Sequence, residues 1–201
     1  MIEEVIAGYA AAAPGLIARY DALPVEAIFA PVADLLPTAP CRIADIGAGT
    51  GRDAAWLAGL GHRVTAVEPV AALREAGMAL HPDPAIGWRE DRLPDLAALA
   101  GEDGGFDLIL LIAVWQHLDD AQRQIAMRRL AALMAPGAGL ILYYRHGPAS
   151  PGRPVHAGRI EDTMEAAAES GLRLLRRRAA QSVQAANRAA GVHWTWLVFR
   201  R

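Results

Sequence analysis

The stretch that most constrains this chain runs from Arg42 to Asp53 and reads R-I-A-D-I-G-A-G-T-G-R-D. It begins with an apolar segment typical of a β-strand, is interrupted by glycines at 47, 49 and 51, and passes into a helical pattern at Asp53. Glycine lacks a Cβ, so a loop of this kind can turn sharply and bring its backbone N–H groups close to a ligand. The stretch therefore predicts a strand, a ligand-binding loop and a helix, in that order.

Asp45 is predicted to lie at the end of this strand, with its carboxylate facing the glycine loop. A dinucleotide site uses the spacing G-x-G-x-x-G, whereas the spacing here is G-x-G-x-G and Arg52 takes the place of the third glycine. The Asp45 carboxylate would repel a pyrophosphate and attract a ligand with a sulfonium or ammonium group. A dinucleotide loop and a purely structural turn are the alternatives that this stretch leaves open.

An acidic residue followed by G-x-G-x-G resembles the first motif of the class I S-adenosylmethionine-dependent methyltransferases. Glu68 follows Gly49 by 19 residues and ends a predicted second strand, at the spacing that places a carboxylate beside a ribose in doubly wound folds. The sequence L-A-A-L-M-A-P-G-A-G-L-I-L also matches the family's usual lead into its fifth strand. The resemblance covers residues 42–145 by motif and about 150–201 by element order.

The fold that this resemblance implies is an α/β fold with a Rossmann-like sheet of seven strands in the order 3-2-1-4-5-7-6. The sheet is mostly parallel, its last strand is antiparallel, and helices cover both faces. We expect one domain over residues 1–201, with an N-terminal helical cap at 1–38 and a Rossmann-like core at 39–201. Prolines 14 and 24 are predicted to divide the cap into two or three short helices. The apolar run 106–114 is predicted to be a central strand, buried on both faces.

The resemblance implies S-adenosyl-L-methionine as the cofactor and S-adenosyl-L-homocysteine as the product. In the family, an acidic residue after the third strand often accepts a hydrogen bond from the adenine amino group. Asp91 takes that position here, but it also fits as the N-cap of the segment that follows it. The expected cofactor-binding residues are Asp45, Gly47, Ala48, Gly49, Gly51, Asp53, Glu68, Pro69, Asp91, Arg92 and Ala113.

The acceptor is expected to lie between the helical cap and the carboxyl edge of the sheet, where open α/β sheets bind ligands. The expected substrate-binding residues are Tyr9, Tyr20, Trp115 and Arg145. If the acceptor carries a hydroxyl group, His117 and His146 are the candidate catalytic bases. His117 fits equally as a residue that orients its loop through a backbone hydrogen bond. The two tyrosines fit equally as residues at the margin of the core with solvated hydroxyls.

The composition argues against several other classes of protein. All 20 basic residues are arginine, so the chain has no lysine for a Schiff base or a phosphate-binding loop. None of its serines lies in a G-x-S-x-G elbow, and its single cysteine and six histidines show no metal-ligand spacing, so we expect no metal. The net charge of −2 gives no general attraction to nucleic acid. The chain also lacks a signal peptide and an apolar run of about 20 residues, so we expect a cytoplasmic protein that does not bind membranes.

The sequence as a whole predicts methyl transfer to a small-molecule acceptor by in-line displacement. The alignment of donor and acceptor can dominate such a step, so no strong base is needed. One alternative is a catalytically silent protein of the same fold that binds a cofactor or a partner. A nucleic-acid methyltransferase is a second alternative, although the Asn/Asp-Pro-Pro-aromatic motif expected after the fourth strand is absent. A dehydrogenase is the third.

Overall fold

A seven-stranded sheet forms the centre of the computed structural model, which describes residues 2–201. The strands are β1 (Arg42–Ile46), β2 (Arg63–Val67), β3 (Ile86–Arg89), β4 (Phe106–Ile112), β5 (Met134–His146), β6 (Arg173–Gln181) and β7 (His193–Arg200). They lie in the order β3-β2-β1-β4-β5-β7-β6. Strands β1 to β5 are parallel, and β7 is antiparallel to both β5 and β6. The predicted strand order and the antiparallel last strand are therefore confirmed.

Residues 2–201 also form seven α-helices. They are α1 (Ile2–Asp21), α2 (Val25–Phe29), α3 (Arg52–Gly59), α4 (Ala71–Leu80), α5 (Asp120–Leu133), α6 (Ile160–Glu169) and α7 (Ala185–Ala189). Short 3-10 helices span Ala30–Leu35, Ala97–Leu99 and Trp115–His117. Among residues 2–201, no helix combines the length and the hydropathy that are needed to cross a bilayer.

Strand β4 is buried on both faces of the sheet, as its continuous apolar sequence predicts. Because side chains alternate along a strand, Ile109 and Leu111 belong to the hydrophobic cluster that includes residues of α5 and α6. Leu108 and Leu110 belong to the second cluster, with residues of α2 and α3. Burial of each such side chain contributes roughly 1.5–3 kcal/mol relative to exposure. The strand therefore contributes to both layers of the core, one on each face of the sheet.

The predicted break at Pro14 is wrong, because α1 continues through this residue as one helix of 20 residues. A proline in a helix removes the hydrogen bond to the carbonyl group four residues earlier and costs about 3 kcal/mol. Here that carbonyl belongs to Ala10, and both Ala10 and Pro14 are exposed, so water can solvate it. Ala13 and Leu16 are buried on the opposite side. Packing of this apolar side keeps the helix intact despite the lost hydrogen bond.

From the sequence, Asp91 also fits as the N-cap of the segment that follows it, but the structure has no α-helix at 93–100. Leu96 in this segment has a φ of 47°, which lies outside the right-handed helical region. The Asp91 carboxylate nevertheless accepts hydrogen bonds from the backbone N–H groups of Arg92 and Ala98, at 2.8 and 2.7 Å. Asp91 therefore stabilises the turn that leads to the 3-10 helix at 97–99.

Candidate active site

The glycine loop between β1 and α3 has a backbone that only small residues permit. Gly47 has a φ of 77°, and a Cβ at this position would overlap Cγ2 of Val114, which follows β4. The N–H groups of Gly47 and Ala48 both donate to the carbonyl oxygen of Val67, at 2.8 and 3.0 Å. These two bonds hold the loop against the end of β2. The predicted strand, loop and helix are therefore formed, and the loop lies at the carboxyl edge of the sheet.

Asp45 lies beneath this loop, with only 2% of its surface exposed. Its Oδ2 atom is buried and has no hydrogen-bond partner. Burial, reinforced by the neighbouring Asp53 carboxylate, raises the pKa of Asp45 well above its ordinary value. The nearby Arg52 opposes this shift, but its guanidinium donates to both carboxylate oxygens of Asp53, at 2.7 and 2.8 Å, and not to Asp45. The site beneath the loop thus holds an acidic group that lacks a positive partner.

Glu68 fixes the other side of the loop. Its Oε2 accepts from the backbone N–H of Gly49 and its Oε1 from the backbone N–H of Val70, both at 2.8 Å. Burial raises the pKa of the Glu68 carboxyl group, although these two hydrogen bonds oppose the shift. Each carboxylate oxygen has a second lone pair, so the group can still accept bonds from a ligand. The 19-residue spacing therefore corresponds to direct contact in the folded chain.

A cavity of about 260 Å³ opens between this loop, the ends of the strands and the helix α1. Thirteen of the residues expected to bind the cofactor or the acceptor line its wall. They are Tyr9, Tyr20, Gly47, Ala48, Gly49, Asp53, Glu68, Pro69, Asp91, Arg92, Ala113, His117 and Arg145. Asp45 and Gly51 are not among the lining residues. Gly51 precedes α3 and packs against the ring of Trp88.

Trp115 was expected to contact the acceptor, and this is wrong. Its side chain is fully buried in the core, and its indole N–H donates to Oγ1 of Thr163 on α6, at 3.0 Å. The chain leaves β4 at Ala113 with a φ of 63°, and this left-handed residue changes the direction of the residues that follow it. As a result, Val114, Gln116 and His117 line the cavity and Trp115 does not.

His146 is also placed outside the cavity, which corrects its expected role as a base. Its Nε2 lies 3.0 Å from Oγ1 of Thr195, and its ring stacks on His193. Successive side chains of a strand point to opposite faces of the sheet. Tyr143 and Arg145 therefore lie on the cavity side of β5, and His146 lies on the opposite side. Of the two neighbours 145 and 146, only Arg145 therefore lines the cavity.

His117 lies at the cavity wall with both ring nitrogens engaged. Its Nδ1 lies 2.7 Å from the carbonyl oxygen of Pro154, which can only accept a hydrogen bond, so Nδ1 carries the proton. Its Nε2 then accepts from the hydroxyl of Tyr9 at 3.1 Å and from the side-chain amide of Gln116 at 3.2 Å. Burial lowers the pKa of the His117 imidazole. The structure therefore presents a neutral imidazole with a basic nitrogen on the cavity side, and the backbone contact considered from the sequence is present as well.

The cover of the cavity consists of α1 and the loop 147–158. Gly8 packs directly against Gly152, so closely that a Cβ at Gly8 would overlap the carbonyl oxygen of Gly152. Arg153 donates to the hydroxyl of Tyr20 at 3.3 Å, and its guanidinium lies over the ring of Tyr9, 5.1 Å from the centroid. Both tyrosine hydroxyls are thus bound to protein groups. Tyr9 joins α1 to His117 at the sheet edge, and Tyr20 joins α1 to the loop 147–158.

The lining residues that were not singled out from the sequence include Gln116, Arg153, Asn187 and Trp194. Arg153 lies in a loop rich in proline and glycine, whose length indicates a functional or mobile segment but not which residue faces inward. Gln116 is adjacent to His117, and the strand-end position that drew attention to His117 applies to it equally. Asn187 and Trp194 follow no motif.

Residues 43–137 match the family model described as a methyltransferase domain. Among curated proteins, the chain is similar to a ubiquinone biosynthesis O-methyltransferase of Methylocella silvestris, with 37% identity over 102 residues. The aligned segment covers 50% of this chain and 38% of that protein, so the chain matches well under half the length of its relative.

Among solved structures, the chain is similar to a 1,6-didemethyltoxoflavin-N1-methyltransferase of Burkholderia thailandensis, which holds 1,6-didemethyltoxoflavin and S-adenosylhomocysteine. The TM-score is 0.78 at 19% identity, over 100% of this chain and 88% of that one. The [4+2]-cyclase SpnF gives a TM-score of 0.67 at 14% identity, over 88% and 81%. These two likenesses concern the fold, which therefore hosts more than one reaction. Residues 43–137 are therefore similar to a methyltransferase domain, and the strand order of the whole sheet is that of the Rossmann-like methyltransferase fold.

Proposed function

We propose that this protein transfers a methyl group from S-adenosyl-L-methionine to a small-molecule acceptor by in-line displacement. The observation that carries the proposal is the buried Asp45 carboxyl group, whose Oδ2 has no partner beneath the glycine loop. A buried carboxylate without a positive partner is unstable, and it becomes stable when a cation is bound nearby. The cofactor carries both an ammonium and a sulfonium group, and it therefore supplies the charge that this site lacks.

The residues on the nucleoside side fit the rest of the cofactor. Two backbone N–H groups orient the Glu68 carboxylate, which leaves its remaining lone pairs for the 2′ and 3′ hydroxyls of a ribose. Asp91 and Arg92, after β3, line the adjacent part of the cavity and are the proposed neighbours of the adenine ring. Arg92 also pairs with Glu3 of α1 at 2.5 Å, so the helix that covers the cavity is attached beside this position.

The remaining part of the cavity holds the acceptor. When bound, the sulfonium supplies an already activated methyl group, so the protein has mainly to align the acceptor and exclude water. Helix α1 and the loop 147–158 provide the exclusion. His117 offers a neutral Nε2 that can accept a hydrogen bond or a proton from an acceptor hydroxyl, in place of the hydroxyl of Tyr9.

The formation of S-adenosylhomocysteine in the presence of a panel of small hydroxyl, amine and thiol compounds tests this proposal. We expect turnover with at least one of them, and the variant Asp45→Ala should abolish it. Saturable cofactor binding without turnover on any compound would support the silent alternative. Turnover only with duplex or single-stranded nucleic acid would contradict the small-molecule assignment, and preferential binding of a nicotinamide dinucleotide would contradict methyl transfer altogether.

A further inference from the structure

The part of the cavity beyond β4 carries positive charge that no carboxylate in the described part of the chain neutralises. Arg145 on β5 and Arg153 on the following loop both line the cavity. Arg145 donates to the carbonyl oxygen of Gly147 at 3.3 Å, and Arg153 donates to the hydroxyl of Tyr20 at 3.3 Å. The Nε atom of Arg153 is buried and has no hydrogen-bond partner. Within residues 2–201, neither guanidinium forms an ion pair.

The other arginines of comparable burial are paired, so this arrangement is specific to the cavity. Five arginines besides Arg145 and Arg153 are buried or partly buried, and each forms an ion pair. The five pairs are Arg52 with Asp53, Arg74 with Glu90, Arg123 with Asp120, Arg129 with Asp103 and Arg176 with Asp34. A guanidinium stays charged in a protein, and burial of an unpaired charge is unfavourable. Arg145 and Arg153 therefore lack the carboxylate partner that each of the other five arginines has.

The position of Arg145 favours the acceptor over the cofactor as the source of this anion. The acidic residues that line the cavity are Asp53, Glu68 and Asp91, and they belong to the segments that follow β1, β2 and β3. Strand β5 lies on the opposite side of β4 from these three strands. Arg145 is therefore at the far end of the cavity from the proposed nucleoside position.

The same part of the cavity has aromatic walls. Tyr143 and Trp194 both line it, and their rings stack with centroids 4.4 Å apart at an angle of 10°. The ring of Tyr9 lies beneath the Arg153 guanidinium. Flat aromatic surfaces of this kind favour the offset or edge-to-face packing of another planar ring.

We propose that the acceptor is a planar aromatic carboxylate, bound with its carboxylate against Arg145 and Arg153 and its ring against the aromatic wall. This inference rests on the proposed function and specifies the substrate class of the same site. A guanidinium presents its donors as a planar fork that matches the two oxygens of a carboxylate. Burial lowers the pKa of Arg145, and a bound carboxylate would remove this penalty on its charged form.

The test compares two probes of equal shape, 4-hydroxybenzoate and 4-hydroxybenzamide, titrated by NMR into the protein loaded with S-adenosylhomocysteine. We expect the benzoate to bind at least tenfold more tightly than the benzamide, as expected for charge-assisted hydrogen bonds. Arg145→Gln and Arg153→Gln should each lower this ratio towards one, and Arg145→Lys should retain part of it. The control is Arg128→Gln, an exposed position on α5, which should leave the ratio unchanged.

Equal binding of the two probes to the wild type would overturn the inference. The inference would also be overturned if Arg145→Gln and Arg153→Gln weakened S-adenosylhomocysteine binding tenfold and left benzoate binding unchanged. In that case the two guanidinium groups would bind the carboxylate of the cofactor and not that of the acceptor. If S-adenosylhomocysteine does not bind to the wild type, the proposed function fails by itself. The two probes are then compared on the unloaded protein, where equal affinity would overturn the inference separately and a benzoate preference that is lost in the Gln variants would support it.

Discussion

The hydroxyl of Tyr9 on α1 lies 3.1 Å from Nε2 of His117, 108 residues later in the chain, and the two rings meet edge to face. The other nitrogen of the same imidazole is bound to the carbonyl oxygen of Pro154, at 2.7 Å. His117 therefore connects three segments, which are the edge of the sheet after β4, the N-terminal helix and the loop after β5. A neutral imidazole thus joins both parts of the cover to the edge of the sheet.

The first consequence concerns turnover. Replacement of His117 by Gln removes the basic nitrogen and one link to the cover, and Tyr9→Phe removes only the hydroxyl that it binds. We expect His117→Gln to lower kcat/KM at least tenfold, and Tyr9→Phe to lower it less, because loss of one neutral hydrogen bond is worth about 1 kcal/mol. Binding of S-adenosylhomocysteine should change by less than twofold in both variants. The exposed His193, changed to Gln, is the control. Equal activity of His117→Gln and the wild type would contradict the role given to the imidazole.

The second consequence is a pH dependence of stability. Burial is the main cause that lowers the pKa of His117 below its ordinary value of about 6.5, so the folded protein resists protonation that the unfolded chain accepts. The stability of the wild type relative to His117→Gln should therefore fall as the pH drops from about 6.5 through the folded pKa. Urea unfolding of both proteins at pH 7.5 and at pH 5 measures this difference. A difference in stability that does not change between these two pH values would count against a buried, neutral histidine.

The contact between α1 and the loop over the cavity gives a third prediction, with a control on the same helix. Gly8→Ala should displace α1 from the loop, since the added methyl group would overlap the carbonyl oxygen of Gly152. We expect weaker binding of both cofactor and acceptor and faster proteolysis of α1. Gly15→Ala adds a methyl group with nothing within 4 Å of it, and it should stabilise the helix by roughly 0.5–1 kcal/mol. The account of the cover is wrong if the two variants behave alike.

How far the sequence predicts this site depends on whether the signal is local. The turn at Gly47, the position of Glu68 beside the glycine loop and the burial of β4 agree with the sequence, because a turn that requires glycine, a fixed spacing between strand ends and a run of apolar residues are all visible within a few tens of residues. The face of the sheet to which each side chain of a strand points is harder to predict. Whether Arg145 or His146 faces the cavity depends on the direction of the pleat, and strong polarity alone does not reveal it.

Two other differences have tertiary causes. Trp115 follows a strand as His117 does, but the left-handed backbone at Ala113 and the hydroxyl of Thr163 direct its ring into the core. Pro14 carries a strong local signal for a helix end, and burial of the opposite side of α1 outweighs it. For Trp115, the deciding contact is made by a residue that is distant in the sequence. For Pro14, it is made by the buried side of the same helix, whose packing partners the local sequence does not show.

The carboxyl group of Asp45 is expected to lower the stability of the cofactor-free protein while it favours binding of the cofactor. Its pKa is raised in the folded state, mainly by burial, so its charged form destabilises the folded protein at every pH above the ordinary value of about 3.9. Asp45→Asn should therefore raise the free energy of unfolding of the cofactor-free protein at pH 7 by about 1 kcal/mol or more, or roughly 2–4 °C in Tm. The gain should vanish as the pH falls to about 4. The exposed Asp95, changed to Asn, should show no such gain. A less stable Asp45→Asn variant would contradict the electrostatic reasoning.

The central claim is that this carboxyl group serves a positively charged cofactor beneath the glycine loop. Calorimetric titration with S-adenosylmethionine and S-adenosylhomocysteine, on the wild type and on Asp45→Ala, tests it most directly. We predict saturable binding of both ligands to the wild type, with one site per chain, and a loss of at least tenfold in affinity for both in the variant. No measurable binding of either ligand to the wild type, or equal affinity in the two proteins, would contradict the account.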